Sequence, residues 1–276
     1  MQDSRQRGNE ALADVHPRIE QGSPDRFGYS WDQFNLLTRE QEEQFRRWTV
    51  HLDPACDWKD KRFLDAGCGA GRNSFWAMTY GAAGGLAIDL DDRSLDAARR
   101  NLAQFPRIEV RRQSIYDLPE ESTFDLCISV GVIHHLDNPL LAIQRMRRAA
   151  KPGGQVLIWV YGYENMEFYV NVLDPVRRVL FSRLPMPLLR VLAYLPASVL
   201  WLLLRLGFQP IAYFRLLRGF PLAHLHHIVL DQMLPRVANY WRSETVEQLM
   251  RDAGLEDVKL AWVNEMSWSA IGRRTA

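Results

Sequence analysis

The sequence predicts an α/β protein built on a seven-stranded, mostly parallel sheet. An antiparallel hairpin closes it at the C-terminus, a helical flap precedes it, and a helical cap is inserted after the fifth strand. Three observations predict this. Short apolar runs alternate with amphipathic stretches from residue 62 to 162, the pattern of βαβ units. Three glycines cluster directly after the first apolar run, in "FLDAGCGAG" (63–71). About eighty residues of different composition then separate the fifth run from a last helical stretch and two strand-like segments.

The bulk properties fit. A chain of 276 residues suits one large α/β domain with an insertion and is long enough for a real core. It is 47% apolar and 24% charged, an ordinary soluble composition. A net charge of +1 argues against a general electrostatic binder of nucleic acid. Cys56, Cys68 and Cys127 show no paired spacing, which speaks against a disulfide framework or structural zinc and for a reducing compartment. The stretch "MQDSRQRGNEALADVHPRIEQ" is polar and without an apolar leader, so a partly disordered tail and a cytoplasmic location are expected.

Taken in order, residues 27–49 alternate aromatics with charges, and Phe34, Leu37, Phe45 and Trp48 can share a helix face. "RFLDAG" (62–67) is a buried strand, and "RNSFWAMTYG" a helix ending at Gly81. "GLAIDL" (85–90) is the second strand, followed by the helix "DRSLDAARRNLAQF". "IEVRRQSI" and "FDLCISVGV" (124–132) are the third and fourth strands. "PLLAIQRMRRAAKPGG" is a helix stopped by Pro152 and its glycines, and "QVLIWVYG" (155–162) the fifth strand. Ser243 can N-cap "ETVEQLMRDA", Gly254 can close it, and "EDVKLAWVNEM" with "SWSAIGRR" can form an edge hairpin. The expected divisions are a tail and flap (1–55), a ligand-binding core (56–162), a cap (163–235), and a C-terminal helix and hairpin completing the core (236–276).

The glycine loop lies where an open parallel sheet binds ligands, between first strand and first helix. It lacks the third glycine spacing of a pyrophosphate loop, where Arg72 stands, and the Lys-Ser/Thr ending of a P-loop. Asp65 beside the first glycine would repel a pyrophosphate but suits a cationic ligand carrying an ammonium and a sulfonium. "LDAGCGAGRNS", "GLAIDLDDRSLDAARRN", "FDLCISVGVIHHLDNP" and "KPGG", in that order from 62 to about 160, resemble the motifs of class I S-adenosylmethionine-dependent methyltransferases, whose sheet is Rossmann-like.

The resemblance implies S-adenosyl-L-methionine as cofactor and gives the residues roles. Asp65 orients the methionine ammonium, or else accepts backbone N–H groups in the turn. Gly67 and Gly69 allow close approach, with Cys68, Gly71, Asn73 and Val130 in the same wall. Asp89 holds the ribose hydroxyls, and Leu90 and Ile115 sandwich the adenine unless they are plain core. In many relatives an aspartate contacts the adenine amino group; Ser114 stands there, so Ser114, the Ile115 backbone or Asp117 takes that contact. His134, rather than His135, is expected to face the methyl group as a base or a structural donor. Tyr29 and Trp31 of the flap, and Tyr161 and Tyr163, are candidates to close over the site. Methyl transfer asks mainly for alignment and exclusion of water.

The acceptor is expected to be small, hydrophobic or lipid-linked, because "SVGV" ends the fourth strand without an Asn/Asp-Pro-Pro-aromatic motif, and neither buried-looking cysteine resembles a pyrimidine-methylating nucleophile. Residues 175–230 hold seven arginines and no Lys, Asp or Glu, a charge of +7 that leaves −6 for the rest. They include the uncharged stretch 191–204, fourteen residues, which is short for a membrane span and contains Pro196. A buried lid or subunit interface, an element lying on an anionic membrane, and an apolar tunnel with arginines at its mouth all remain open. Oligomerisation through the cap and peripheral attachment at the inner membrane face follow from the first two. The "HLHH" cluster (224–227) is set aside as a metal site for want of partner ligands. Two other functions compete: a nicotinamide-dependent oxidoreductase, which shares the ribose acid, and a non-catalytic, membrane-associated partner subunit that binds the cofactor without turnover.

Overall fold

A computed structural model describes residues 37–181 and 184–275. Seven strands form one sheet: β1 Arg62–Ala66, β2 Gly84–Asp89, β3 Ile108–Arg112, β4 Phe124–Val130, β5 Ala150–Tyr161, β6 Glu256–Val263 and β7 Ser267–Arg273. The order is β3-β2-β1-β4-β5-β7-β6. The first five run parallel, and β7 pairs antiparallel with β5 on one side and β6 on the other.

The central strands read as unbroken apolar runs because helices cover both faces. Alternate residues go to opposite sides. Leu64, Ala66, Cys127, Val156 and Ile158 pack with Ile143, Met146, Val246 and Met250 from α4 (Pro139–Ala149) and α10 (Ser243–Asp252). Phe63, Leu126, Ile128, Leu157 and Trp159 pack with Phe45 and Ala77 from α1 (Arg39–Trp48) and α2 (Arg72–Thr79). Phe45 is fully buried, its ring 5.5 Å from Trp58, so the helical segment before the core is part of the core. Helix α3 (Asp92–Asn101) starts at Asp91, whose carboxylate accepts the Arg93 and Ser94 N–H groups. Tyr29, Trp31 and Phe34 lie outside the described residues.

Among the described residues, between β5 and α10 stand a π-helical turn (Tyr169–Leu173) and five α-helices: α5 (Asp174–Val179), α6 (Met186–Leu192), α7 (Tyr194–Arg205), α8 (Ala212–Leu217) and α9 (Leu222–Met233). Helix α9 is the keel of this group. Leu230 and Met233 pack against Leu189 and Ala193, while Leu225 packs with Leu204, Leu217 and Phe220. Buried Asp174 ties the group together. It pairs with Arg177 at 2.6 Å and Arg178 at 2.5 Å, and those guanidiniums donate to the carbonyls of Pro235 and Ala238 on the chain returning to the core.

Three local expectations are corrected. Arg242, not Ser243, occupies the N-cap of α10, and Ser243 is its first helical residue. The "KPGG" stretch belongs to the irregular start of β5, with Ala150 already paired to Phe124. Pro196 does not interrupt the apolar stretch. Lacking an N–H, it only separates α6 from α7 at Ala193, which keeps helical backbone angles, so helix continues from Met186 to Arg205.

Removing Asp174 (Asp174→Ala) strands the buried Arg177 charge. It is expected to cost roughly 3–5 kcal/mol in urea unfolding. Unchanged stability would show that the pair does not fasten the cap.

Candidate active site

The strand order turns around between β1 and β4, and this leaves a crevice at their C-terminal ends. A cavity of about 260 Å³ fills it and continues beneath α9. Its floor is the glycine loop. Gly67 has φ +83°, and a Cβ there would come within 2.4 Å of Val132, so only glycine lets the loops after β1 and β4 meet. The Gly67 and Cys68 N–H groups donate to the Ile88 carbonyl at 2.9 Å, which pins the loop to β2.

Asp89, at the end of β2, lines the cavity. It accepts the Gly69 N–H at 2.9 Å on Oδ2, and those of Leu90 and Asp91 at 2.7 and 3.1 Å on Oδ1. Burial pushes its pKa up and the three N–H groups pull it down, which leaves a rigid acceptor facing the cavity. Leu90, Ile115, Val130, Cys68, Gly67, Gly69 and Asn73 share this end, as does Gln113.

Other candidates sit behind this wall. Asp65 is fully buried and does not line the cavity; its Oδ2 accepts the Ser74 hydroxyl at 2.7 Å, and Oδ1 has no partner. Burial first, and the Asp89 charge second, push its pKa up to about 7. Gly71 caps α2 with φ +75°, and a Cβ there would meet Ala98 of α3 and Leu102 just after it. The Ser114 hydroxyl accepts the Tyr116 N–H at 3.1 Å, so it serves the turn, and Gln113 rather than Ser114 reaches the cavity.

His134 is a correction. Its ring is fully buried, 3.9 Å from that of Tyr161, outside the cavity wall, with no hydrogen-bond partner on either nitrogen. Its carbonyl instead holds Asn239. Burial holds its imidazole neutral, well below the usual range. The neighbouring His135 lines the cavity, and Val237 fixes its Nδ1 at 2.8 Å. Tyr29 lies outside the described residues.

The far end of the cavity was not legible as a site. Trp159 and Tyr161 of β5, Tyr213 of α8, and His224, His227, Asp231 and Gln232 of α9 line it, and Arg72 is also in the cavity wall. Gln232 donates to the Tyr161 hydroxyl at 3.0 Å. His227 and Asp231, four residues apart on one helix face, meet at 3.3 Å. Burial, then the Arg72 charge, lower the His227 pKa to about 3, so its imidazole is neutral. Burial also lowers Arg72, to about 10, against the pull of Asp231. "HLHH" followed by Asp231 carried this signal in the sequence as an i,i+4 acid–imidazole pair. Among the described residues, no group of three or more His, Cys, Asp or Glu side chains could hold a metal ion.

Residues 64–158 match the family model described as "Methyltransferase domain". They form a class I S-adenosylmethionine-dependent methyltransferase domain. The chain is 33% identical over 110 residues to the ubiquinone biosynthesis O-methyltransferase of Dechloromonas aromatica, covering 39% of this chain and 47% of that protein. It is 28% identical over 127 residues to the tRNA U34 carboxymethyltransferase of Pseudoalteromonas atlantica, covering 40% of this chain and 39% of that one. It thus spans under half the length of these curated relatives. A SAM-dependent methyltransferase from Aquifex aeolicus shares the fold, with TM-score 0.55, 13% identity, and coverage of 90% of this chain and 98% of that one.

The residues fit S-adenosylmethionine. Asp89 is held as an acceptor for vicinal hydroxyls, Leu90 and Ile115 give a flat apolar slot, and the unpartnered Oδ1 of Asp65 supplies negative potential behind the glycine loop.

Asp65 also has a stability signature. With its folded pKa near 7 against 3.8 in a free side chain, the ionised carboxylate costs the empty fold progressively from pH 3.8 to 7, and in full above that. At pH 8, Asp65→Asn is expected to be more stable than the wild type by roughly 2–4 kcal/mol. That gap should narrow as pH falls to 5 in thermal unfolding of the free protein. A gap independent of pH would mean Asp65 titrates normally.

Proposed function

We propose that the protein transfers a methyl group to the hydroxyl oxygen of a small, apolar acceptor, one ring of which fits under α9. One observation carries this reading: the cavity that starts at Asp89 and Leu90 ends on the aromatic rings of Trp159, Tyr161 and Tyr213 and on the His227–Asp231 pair. Bound S-adenosylmethionine supplies an electrophilic methyl group on a sulfonium. The chain has to align the acceptor, keep water out, and take up the proton of the attacking hydroxyl.

His227 fits the last task. Its imidazole is neutral, the form that accepts a proton, but burial and Arg72 also make it a weak base in the free protein, so proton uptake depends on Asp231, 3.3 Å away, stabilising the imidazolium. Asp231 orients the ring and stabilises the imidazolium formed. The aromatic rings provide an apolar surface for a ring-shaped acceptor. The name of the Dechloromonas relative, an O-methyltransferase of ubiquinone biosynthesis, supports an oxygen acceptor. The tRNA relative favours a nucleic-acid acceptor, but the roof over this cavity is an inserted helix with an apolar outer neighbour, which suits a small molecule better.

The test is turnover of labelled S-adenosylmethionine with phenols bearing short and long alkyl chains, and with bulk tRNA. Label should enter the ether oxygen of the alkylated phenols. Label in tRNA alone would replace this reading. His227→Ala should lower kcat by about 10²–10⁴ while leaving S-adenosylhomocysteine affinity unchanged, and Asp231→Asn should act in the same direction. Undiminished kcat would remove His227 from the chemistry.

A further inference from the structure

The cap has an outer face that nothing covers. Apart from Val50, every exposed large hydrophobic among the described residues lies between Phe168 and Phe208. The helical stretch Met186–Arg205, 20 residues with mean hydropathy 1.8, is long and apolar enough to cross a membrane. It is apolar on two sides. Leu189, Ala193, Ala197 and Leu204 are buried. Leu188, Val191, Leu195, Val199, Leu202 and Leu206 recur at three- and four-residue steps on the other side, and are 47–75% exposed. An apolar stripe of this length, about 30 Å, exceeds the scattered apolar residues of an ordinary surface.

We infer that this outer stripe docks the protein on an anionic membrane, lying flat in the headgroup layer. Two observations choose this occupant. The first is charge. Residues 175–230 carry seven arginines without one acidic residue; Arg177 and Arg178 are taken up by Asp174, and the rest leave this segment strongly basic. Arg205 ends the stripe, its guanidinium 5.3 Å from the Trp201 ring, and Arg218 is exposed just after the adjoining α8, whose Arg215 is also exposed but lies 3.7 Å from Glu265. Arginines beside an apolar stripe match anionic headgroups above acyl chains. A second copy of the chain would set the same positive charge against itself. The second observation is the inner stripe. It seats on Leu230 and Met233 of α9, so crossing the bilayer would strip those contacts, whereas lying flat keeps them.

This arrangement also places the membrane two helix layers from the cavity. Helix α9 turns His227 and Asp231 to the cavity, and Leu225 and Leu230 to the layer formed by α6 and α7. An apolar acceptor dissolved in the bilayer would then reach the roof of the site without passing through water.

The experiment is co-sedimentation of the full chain with phosphatidylcholine vesicles, with and without phosphatidylglycerol, at low and high salt. Wild type should sediment with the anionic vesicles at low salt and much less with neutral ones. Leu195→Glu/Leu202→Glu alters only exposed positions and should weaken partitioning by roughly tenfold or more. Arg205→Glu/Arg218→Glu keeps the stripe and should remove the preference for phosphatidylglycerol. Binding of S-adenosylhomocysteine by each variant reports an intact fold and is independent of docking, so its retention separates failure here from failure of the methyl-transfer reading. Three results would overturn the inference: no sedimentation of wild type, sedimentation that Leu195→Glu/Leu202→Glu leaves unchanged, or a stable dimer that this variant dissociates without any vesicle binding.

Discussion

Everything the site does depends on a crevice that topology imposes. Successive strands are laid down to one side from β1 and to the other from β4, so the loops after these two strands diverge above a gap. The gap becomes a binding site because the loops also touch. Val132, after β4, leaves no room for a side chain on Gly67, after β1. That contact sets the floor of the cavity. A bulkier residue at Gly67 would push the two loops apart and open the floor of the cavity.

The inserted helices give this common core its individuality. Helix α9 is used on both sides: Leu225, Leu230 and Met233 fasten it to the cap, and His227, Asp231 and Gln232 face the core. Its seat is fixed by Asp174 and its two arginines, which clamp the chain where the cap rejoins the core at Pro235 and Ala238. Under the proposed function, acceptor chemistry is mounted on inserted helices whose packing owes little to the glycine loop.

The cofactor end was readable in the sequence because its constraints are local. Glycines at fixed steps after an apolar strand, and an acid closing the next strand, signal their geometry within a few residues. Asp89, Leu90, Ile115 and Val130 all line the cavity. His134 and Ser114 show where local reading ends. Both sit at the right place in the chain, but which of two neighbouring side chains turns inward depends on short 3₁₀ turns that the sequence does not announce. His227 and Asp231 were harder still. They reach the site through some sixty residues of intervening helix, and only the packing of α9 over β5 makes an ordinary i,i+4 pair part of a cavity. Pro196 misled for a related reason: a proline that ends one helix can open the next without deflecting it.

The most direct test of the central claim, that the glycine loop and Asp89 hold a sulfonium nucleoside and not a dinucleotide, is a calorimetric titration with S-adenosylhomocysteine and with NAD in parallel. The account predicts one-to-one binding of S-adenosylhomocysteine, abolished by Asp89→Ala, and no heat from NAD. Binding of NAD with no response to S-adenosylhomocysteine would contradict it.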